Sequence, residues 1–274
     1  MSMKENYQKT NYKKKNYQKE LDYILESLSE SKEKILEDKN IFENKNFSKR
    51  PTLLLHACCA PCSSYVLEYL SKYFLITVYY YNPNIHPKEE YERRFLELEK
   101  FLLNFPSAIE NGVKFISAEY KPKEFDEALR VDEDASLALE KERGERCSRC
   151  YTLRMKKAYE YASQNGYDWF TTTLSISPFK DADKINEIGK QLEKSAYERI
   201  ALLKDKTKTL QVSENLLCKK HITKFLTSDF KKKGGFKRSL ELSAQFELYR
   251  QKYCGCKYSL ANCYTRKGER WQAH

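Results

Sequence analysis

Residues 52–63 read TLLLHACCAPCS, and the fold turns on them. Thr52 to His56 is a short apolar run with the length and composition of a buried strand. Cys58, Cys59 and Cys62 follow in a turn that holds Pro61, and Ser63 to Tyr73 has the pattern of a helix. Strand, tight turn and helix make the opening half of a βαβ unit. The theme then repeats. Phe74 to Tyr81 (FLITVYYY) is rich in β-forming residues and stops at Asn82-Pro83-Asn84. Pro87 opens an amphipathic pattern lasting to about Phe105, as suits proline in a first helical turn. Val113 to Ser117 predicts a third strand, followed by a helical region to about Arg143 and a helix from Ser148 to Asn165, stopped by Gly166. Asp168 to Thr173 predicts a fourth strand, and Asp181 to Ser195 a further helix. The alternation predicts an α/β fold, with a Rossmann-like, mostly parallel sheet and flanking helices.

Outward from this core the texture changes at both ends. In residues 1–50, Leu21, Ile24, Leu25 and Leu28 follow helical spacing, which predicts one amphipathic helix in a Lys/Asn/Tyr-rich extension. Residues 204–274 carry 17 basic and 6 acidic side chains, a surplus equal to the whole net charge of +11. The chain therefore reads as an N-terminal helical extension (1–50), an α/β domain carrying the first cysteine groups (51–203) and a basic, mainly helical C-terminal region (204–274). A basic block with interleaved Tyr and Phe suits a nucleic-acid face, although lysine-rich surfaces also serve solubility alone. The cation-rich run Lys231 to Arg238, around Gly234-Gly235, carries the same two readings. With 41% hydrophobic and 32% charged residues, the 274-residue chain is not wholly disordered. No run approaches the ~18 apolar residues of a membrane span. The polar first residues do not form a secretory signal, so the expected location is the cytoplasm.

Nine cysteines, an odd number without a signal segment, argue against a disulfide framework and for metal or redox chemistry. Parallel sheets carry their sites outside the carboxyl ends of the strands. Cys58 and Cys59 follow the first strand, Asn82 to His86 the second and Ser175 to Asp181 the fourth; Cys147 and Cys150 lie at a helix start. These loops are expected to meet at one edge. A Cys-x-x-Cys pair grips one metal without straining the backbone, in zinc and iron–sulfur sites alike. Adjacent Cys58 and Cys59 are expected to diverge, which favours a multi-metal cluster over a structural zinc. Helix amino termini there favour thiolates.

Cys254-Gly255-Cys256 would close only a short, strained disulfide ring, so it reads as a redox-switching pair or as metal ligands. Cys263 reads as a resolving thiol, a ligand or an inert residue, and Cys218 as a small buried hydrophobe. His56 reads as a hydrogen-bonded core residue and His86 as a polar substrate contact. Arg93 and Arg94 read as surface charge or a phosphate clamp. Neither a GxGxxG fingerprint nor a P-loop occurs.

Six blocks occur in order: LLLHACCAPCS (53–63), YNPNIHP (81–87) with Glu90-Tyr91, GERC (144–147) to Cys150-Tyr151, TTL (172–174) through Ser177-Pro178, RSLELS (238–243) and LYRQKYCGC (248–256). Together they resemble the cobalamin-independent epoxyqueuosine reductases, from about Leu53 to Ser259. The resemblance implies reduction of the epoxide of epoxyqueuosine at a tRNA wobble position, giving queuosine. It implies a [4Fe–4S] cluster on Cys58, Cys59, Cys147 and Cys150, and a redox-active Cys254–Cys256 pair or further iron ligation there. It also brings in an additional mononuclear iron, near Cys62. The partners implied are that tRNA and an electron donor, with no membrane. Positions alone make His86 and Asp181 candidate proton donors. Two rival readings are an iron–sulfur tRNA sulfur-transfer enzyme, which should carry a pyrophosphate loop after the first strand, and a zinc-stabilised RNA-binding protein without catalysis.

Overall fold

Strand β1, Thr52–Ala57, lies at the centre of a five-stranded sheet in the computed structural model, which describes residues 15–37, 50–210 and 221–266. Its Leu53, Leu54 and Leu55 are completely buried, because helices cover both faces of the sheet. Strands β2 (Leu75–Tyr80), β3 (Lys114–Ser117), β4 (Trp169–Thr172) and β5 (Lys224–Phe225) complete the order β3-β2-β1-β4-β5, with every pairing parallel. Leu54 is in register with Thr77 on one side and Phe170 on the other. The chain runs outward from β1 through β2 to β3, then returns to the other side of β1 as β4. The ends of β1 and β4 therefore border the topological switch point, where open α/β sheets bind their ligands.

Helices α1 (Tyr17–Glu37), α2 (Ala60–Leu70) and α3 (Lys88–Asn104) pack on one face with α9 (Gly235–Gln245). Helices α7 (Glu145–Gln164) and α8 (Ala182–Leu210) cover the other, with Met155, Ala158 and Ile185 fully buried. Between β2 and α7 lie α4 (Pro106–Glu110), α5 (Pro122–Leu129) and the single turn α6 (Ser136–Leu139). Helix α10 (Lys257–Arg266) follows the last cysteine pair.

The α/β architecture is the one read from the sequence. Differences are local. Helix α7 begins three residues earlier than read, so Cys147 and Cys150 both fall inside it. Strand β5 went unread because two residues carry no periodicity. It extends the same sheet from within the basic C-terminal stretch. Helix α1 is no free-standing element: Leu21 and Leu25 are buried in the core, and Glu20 and Asp22 pair with Lys190 and Lys233, both at 2.7 Å. The reading of Cys218 lies outside the described residues, and Cys263 falls in α10.

Candidate metal and redox site

The turn from β1 into α2 gathers three thiols. Cys59 is the extended residue that precedes α2, and Pro61 occupies its first turn. Cys58 and Cys59 are buried and Cys62 is half-buried, with the three sulfurs all within 4.8 Å of one another. The Sγ atoms of Cys58 and Cys59 are 3.7 Å apart. The expected divergence of these neighbours is therefore not found, because the sharp strand-to-helix turn folds their side chains toward each other. Thr173, in the 3₁₀ turn after β4, brings its Oγ1 to 3.9 Å from Cys58 Sγ across the switch point.

A second thiol group forms around α7. Cys256 packs against the small apolar cluster of Phe125, Leu129 and Cys150. Negative charge on Cys254 and Cys256 adds to burial in raising the thiols of Cys147, to about 11, and Cys150, to about 12. The structure thus groups Cys62 with Cys58 and Cys59, and Cys147 and Cys150 with the Cys-Gly-Cys pair.

Two buried cations serve both groups. Arg154, one helical turn beyond Cys150, is 1% exposed and lies in the field of Cys150, Cys58 and Cys254. Lys180 is 9% exposed; burial opposes its charge, but Cys254, Cys58 and Cys62 raise its affinity for the proton. Among the described residues neither has a carboxylate within ion-pair distance. A buried cation needs a nearby anion, and here the anions available are thiolates. Sequence reading missed both residues; the signal for Arg154 was its spacing of four from Cys150.

Thiol acidity follows this pattern. Hydrogen bonds from Cys59 and Cys62 lower Cys58 well below the usual thiol range, against burial and with help from Lys180 and Arg154. Burial, then the hydrogen bond and charge of Cys58, push Cys59 up to about 12, and hydrogen bonds with Cys58 and Cys59, with burial, raise Cys62. One thiolate flanked by protonated thiols is a set poised to exchange protons for a metal cation. Two buried side chains that reach this set each keep a polar atom without a partner: Gln251 Oε1 and Arg154 Nε. The donor set fits a thiolate-bound metal.

The Cys-Gly-Cys loop is held from beneath. Arg94, 1% exposed, pairs with Glu90 at 2.7 Å and donates to the carbonyls of Cys254 at 3.1 Å and Tyr253 at 3.2 Å. The guanidinium of Arg93 lies over the Tyr249 ring, 3.4 Å from its centroid. For Arg94 these contacts replace both earlier readings, surface charge and phosphate clamp; Arg93 is exposed, as the surface reading has it, and lies against Tyr249. Gly255 has φ of 127°, and a Cβ there would come within 3.0 Å of Arg94 Nη1 and 3.1 Å of Ile85 Cγ1. Its carbonyl accepts from His86 N at 2.8 Å, and Gln251 Nε2 reaches Cys59 Sγ at 2.9 Å.

Other expected residues fall as follows. His56 is a buried, neutral core residue: Nε2–H donates to the Tyr81 carbonyl at 3.2 Å, and Thr172 Oγ1 donates to Nδ1 at 2.8 Å. Burial, then Arg154, lowers its pKa to about 3. His86 is exposed. Asp181 Oδ1 accepts from the amides of Asp183 and Lys184, at 3.0 and 3.1 Å, and so caps α8. In the Lys231 to Arg238 run, Lys231, Lys233 and Arg238 pair with Asp229, Asp22 and Glu68, each at 2.7 Å. Those three charges are committed within the protein.

A family model described as epoxyqueuosine reductase QueH matches residues 53–208 and 199–262. The chain is 39% identical over 212 residues to the epoxyqueuosine reductase QueH of Streptococcus pyogenes serotype M1, covering 77% of this chain and 71% of that one. Against the protein of the same name from Haemophilus influenzae, identity is 34% over 80% of this chain and 74% of the relative. For Thermotoga maritima it is 30% over 76% and 90%.

Proposed function

Because the chain belongs to the epoxyqueuosine reductase QueH family, we propose that it reduces epoxyqueuosine in the wobble position of tRNA to queuosine, without cobalamin. The observation that carries this reading is the three-thiol cluster at the switch point, served by two buried cations that lack a carboxylate partner among the described residues. Removing the epoxide oxygen breaks both its C–O bonds, leaves a C=C bond and consumes two electrons and two protons, with water as the second product.

Cys58, Cys59, Cys147 and Cys150 would hold a [4Fe–4S] cluster, and Cys62, beside the first two, would lie near an additional mononuclear iron. When bound, such a cluster supplies electrons singly, and an open iron position supplies Lewis acidity. Cys254 and Cys256 act as the redox pair: oxidation of their thiols to a disulfide releases two electrons and two protons, which balances the reduction. An external electron donor then restores the thiols. Arg94 fixes that pair by its backbone, Arg154 and Lys180 supply positive charge beside the thiolates, and burial excludes water. The basic stretch 204–274 holds the tRNA backbone, with affinity that falls as salt rises. Among the described residues no helix is long and apolar enough to cross a membrane, and we place the enzyme in the cytoplasm with its tRNA.

Anaerobic purification with iron, sulfide and zinc analysis, followed by EPR after reduction, separates this reading from its rivals. The expected result is about four irons and four sulfides per chain for the cluster, about one further iron for the mononuclear site, and a reducible cluster signal, with activity that needs no ATP. Zinc without sulfide, after reconstitution, supports an RNA-binding protein; an ATP requirement supports sulfur transfer.

A further inference from the structure

The loop that delivers Lys180 to the thiols also presents an aromatic ring outward. Phe179 is 67% exposed, while its neighbour Lys180 is 9% exposed. The loop is fixed at both ends. Ser177 N donates to the Leu174 carbonyl at 3.3 Å, Ser177 Oγ accepts from Phe179 N at 3.3 Å, and the Ser177 carbonyl accepts from Lys180 N at 3.2 Å. Arg143 Nη2 donates to the Pro178 carbonyl, and the Arg143 carbonyl accepts from Lys184 Nζ at 2.9 Å. Upstream, Thr173 meets Cys58; on the facing side, Arg143 lies in the loop that leads into α7, four residues before Cys147. Phe179 therefore stands where a loop leading from one thiol group is clasped to the loop leading into the other.

An exposed aromatic ring on a fixed loop at the rim of a site offers a preformed flat face for stacking. It is one planar ring rather than a broad patch, with cationic Arg143 and Lys184 beside it, so it matches a single unstacked base on an anionic strand better than an apolar protein surface. Bases splayed out of RNA loops are held by stacking on aromatic side chains. We propose that Phe179 is a substrate-binding residue, the platform on which the wobble base stacks while its modified arm reaches the thiols. This rests on the reading of the substrate as a base within tRNA.

The test compares wild type, Phe179→Ala, Phe179→Trp and the control Leu103→Ala, which removes a side chain 72% exposed on α3. Each metal-loaded protein is assayed for binding of the tRNA and, separately, for turnover. The role requires Phe179→Ala to weaken binding and raise KM about tenfold or more, the loss of one stacked base, with iron content and circular dichroism unchanged. Phe179→Trp should retain affinity, with its fluorescence quenched on tRNA binding, and Leu103→Ala should match wild type. Unaltered binding by Phe179→Ala, or an equal loss in Leu103→Ala, overturns the proposal. Absence of turnover in wild type, by contrast, overturns the reductase reading, whereas the platform is judged on binding.

Discussion

Arg154 of α7 donates through Nη2 to the side-chain oxygen of Asn82 at 2.6 Å, and Nδ2 of the same asparagine donates to the Ala57 carbonyl at 2.9 Å. One asparagine thereby ties the end of β1, the loop after β2 and the helix that bears Cys150. It also holds a positive charge where two thiol groups meet. Replacing Arg154 by Met removes that charge and leaves Asn82 Oδ1 without its donor. The expected outcome is a lower reduction potential of the loaded protein in a redox titration, with Arg154→Lys nearer to wild type. A stability loss of about 1–3 kcal/mol in urea unfolding should accompany it. An unchanged potential would remove the electrostatic role assigned to Arg154.

Gly255→Ala tests the seat of the Cys-Gly-Cys loop. With φ at 127° and Arg94 Nη1 3.0 Å from the added methyl, the loop must shift. A loss of about 1–3 kcal/mol is expected, together with faster alkylation of Cys254 and Cys256 in the metal-free protein. Mass spectrometry after timed alkylation reads the second effect.

Leu21→Ala tests whether α1 belongs to the core. Leu21 is fully buried, so truncation should cost about 2–5 kcal/mol. Tyr23, 73% exposed on the same helix, should change stability by less than about 0.5 kcal/mol on truncation to Ala. Equal effects in urea unfolding would show that the helix is not anchored by its apolar stripe.

Cys58→Ala and Cys147→Ala should each lose iron on anaerobic purification, whereas Cys218→Ala should keep both iron and activity. Equal iron in all three variants would sink the ligand assignment.

What the sequence made legible was periodic. Apolar runs at Leu53–Leu55 and Ile76–Tyr80 announce buried parallel strands, and Pro61 and Pro87 mark helix starts. Helical spacing placed Leu21 and Leu25 on one face of α1, but the core they join is built from elements far along the chain, such as α2, α3 and α9. Contacts made through space were hidden in the same way. Arg94 sits in an ordinary amphipathic helix, and only the return of Tyr253 and Cys254 shows why it is buried. Asp181 lay at the right strand end for chemistry, yet the start of α8 claims its carboxylate. The approach of the Cys58 and Cys59 sulfurs depends on backbone torsions at one turn, which residue order does not encode.

Everything proposed for these thiols turns on their supporting reduction of a modified base in tRNA. The most direct test is to incubate the anaerobically reduced, metal-loaded protein with tRNA bearing epoxyqueuosine, without ATP or cobalamin, and to analyse the nucleosides by mass spectrometry. The expected result is loss of one oxygen from the modified nucleoside with appearance of queuosine, and no such loss with Cys58→Ala. Intact epoxyqueuosine after incubation with fully loaded, reduced protein would contradict it.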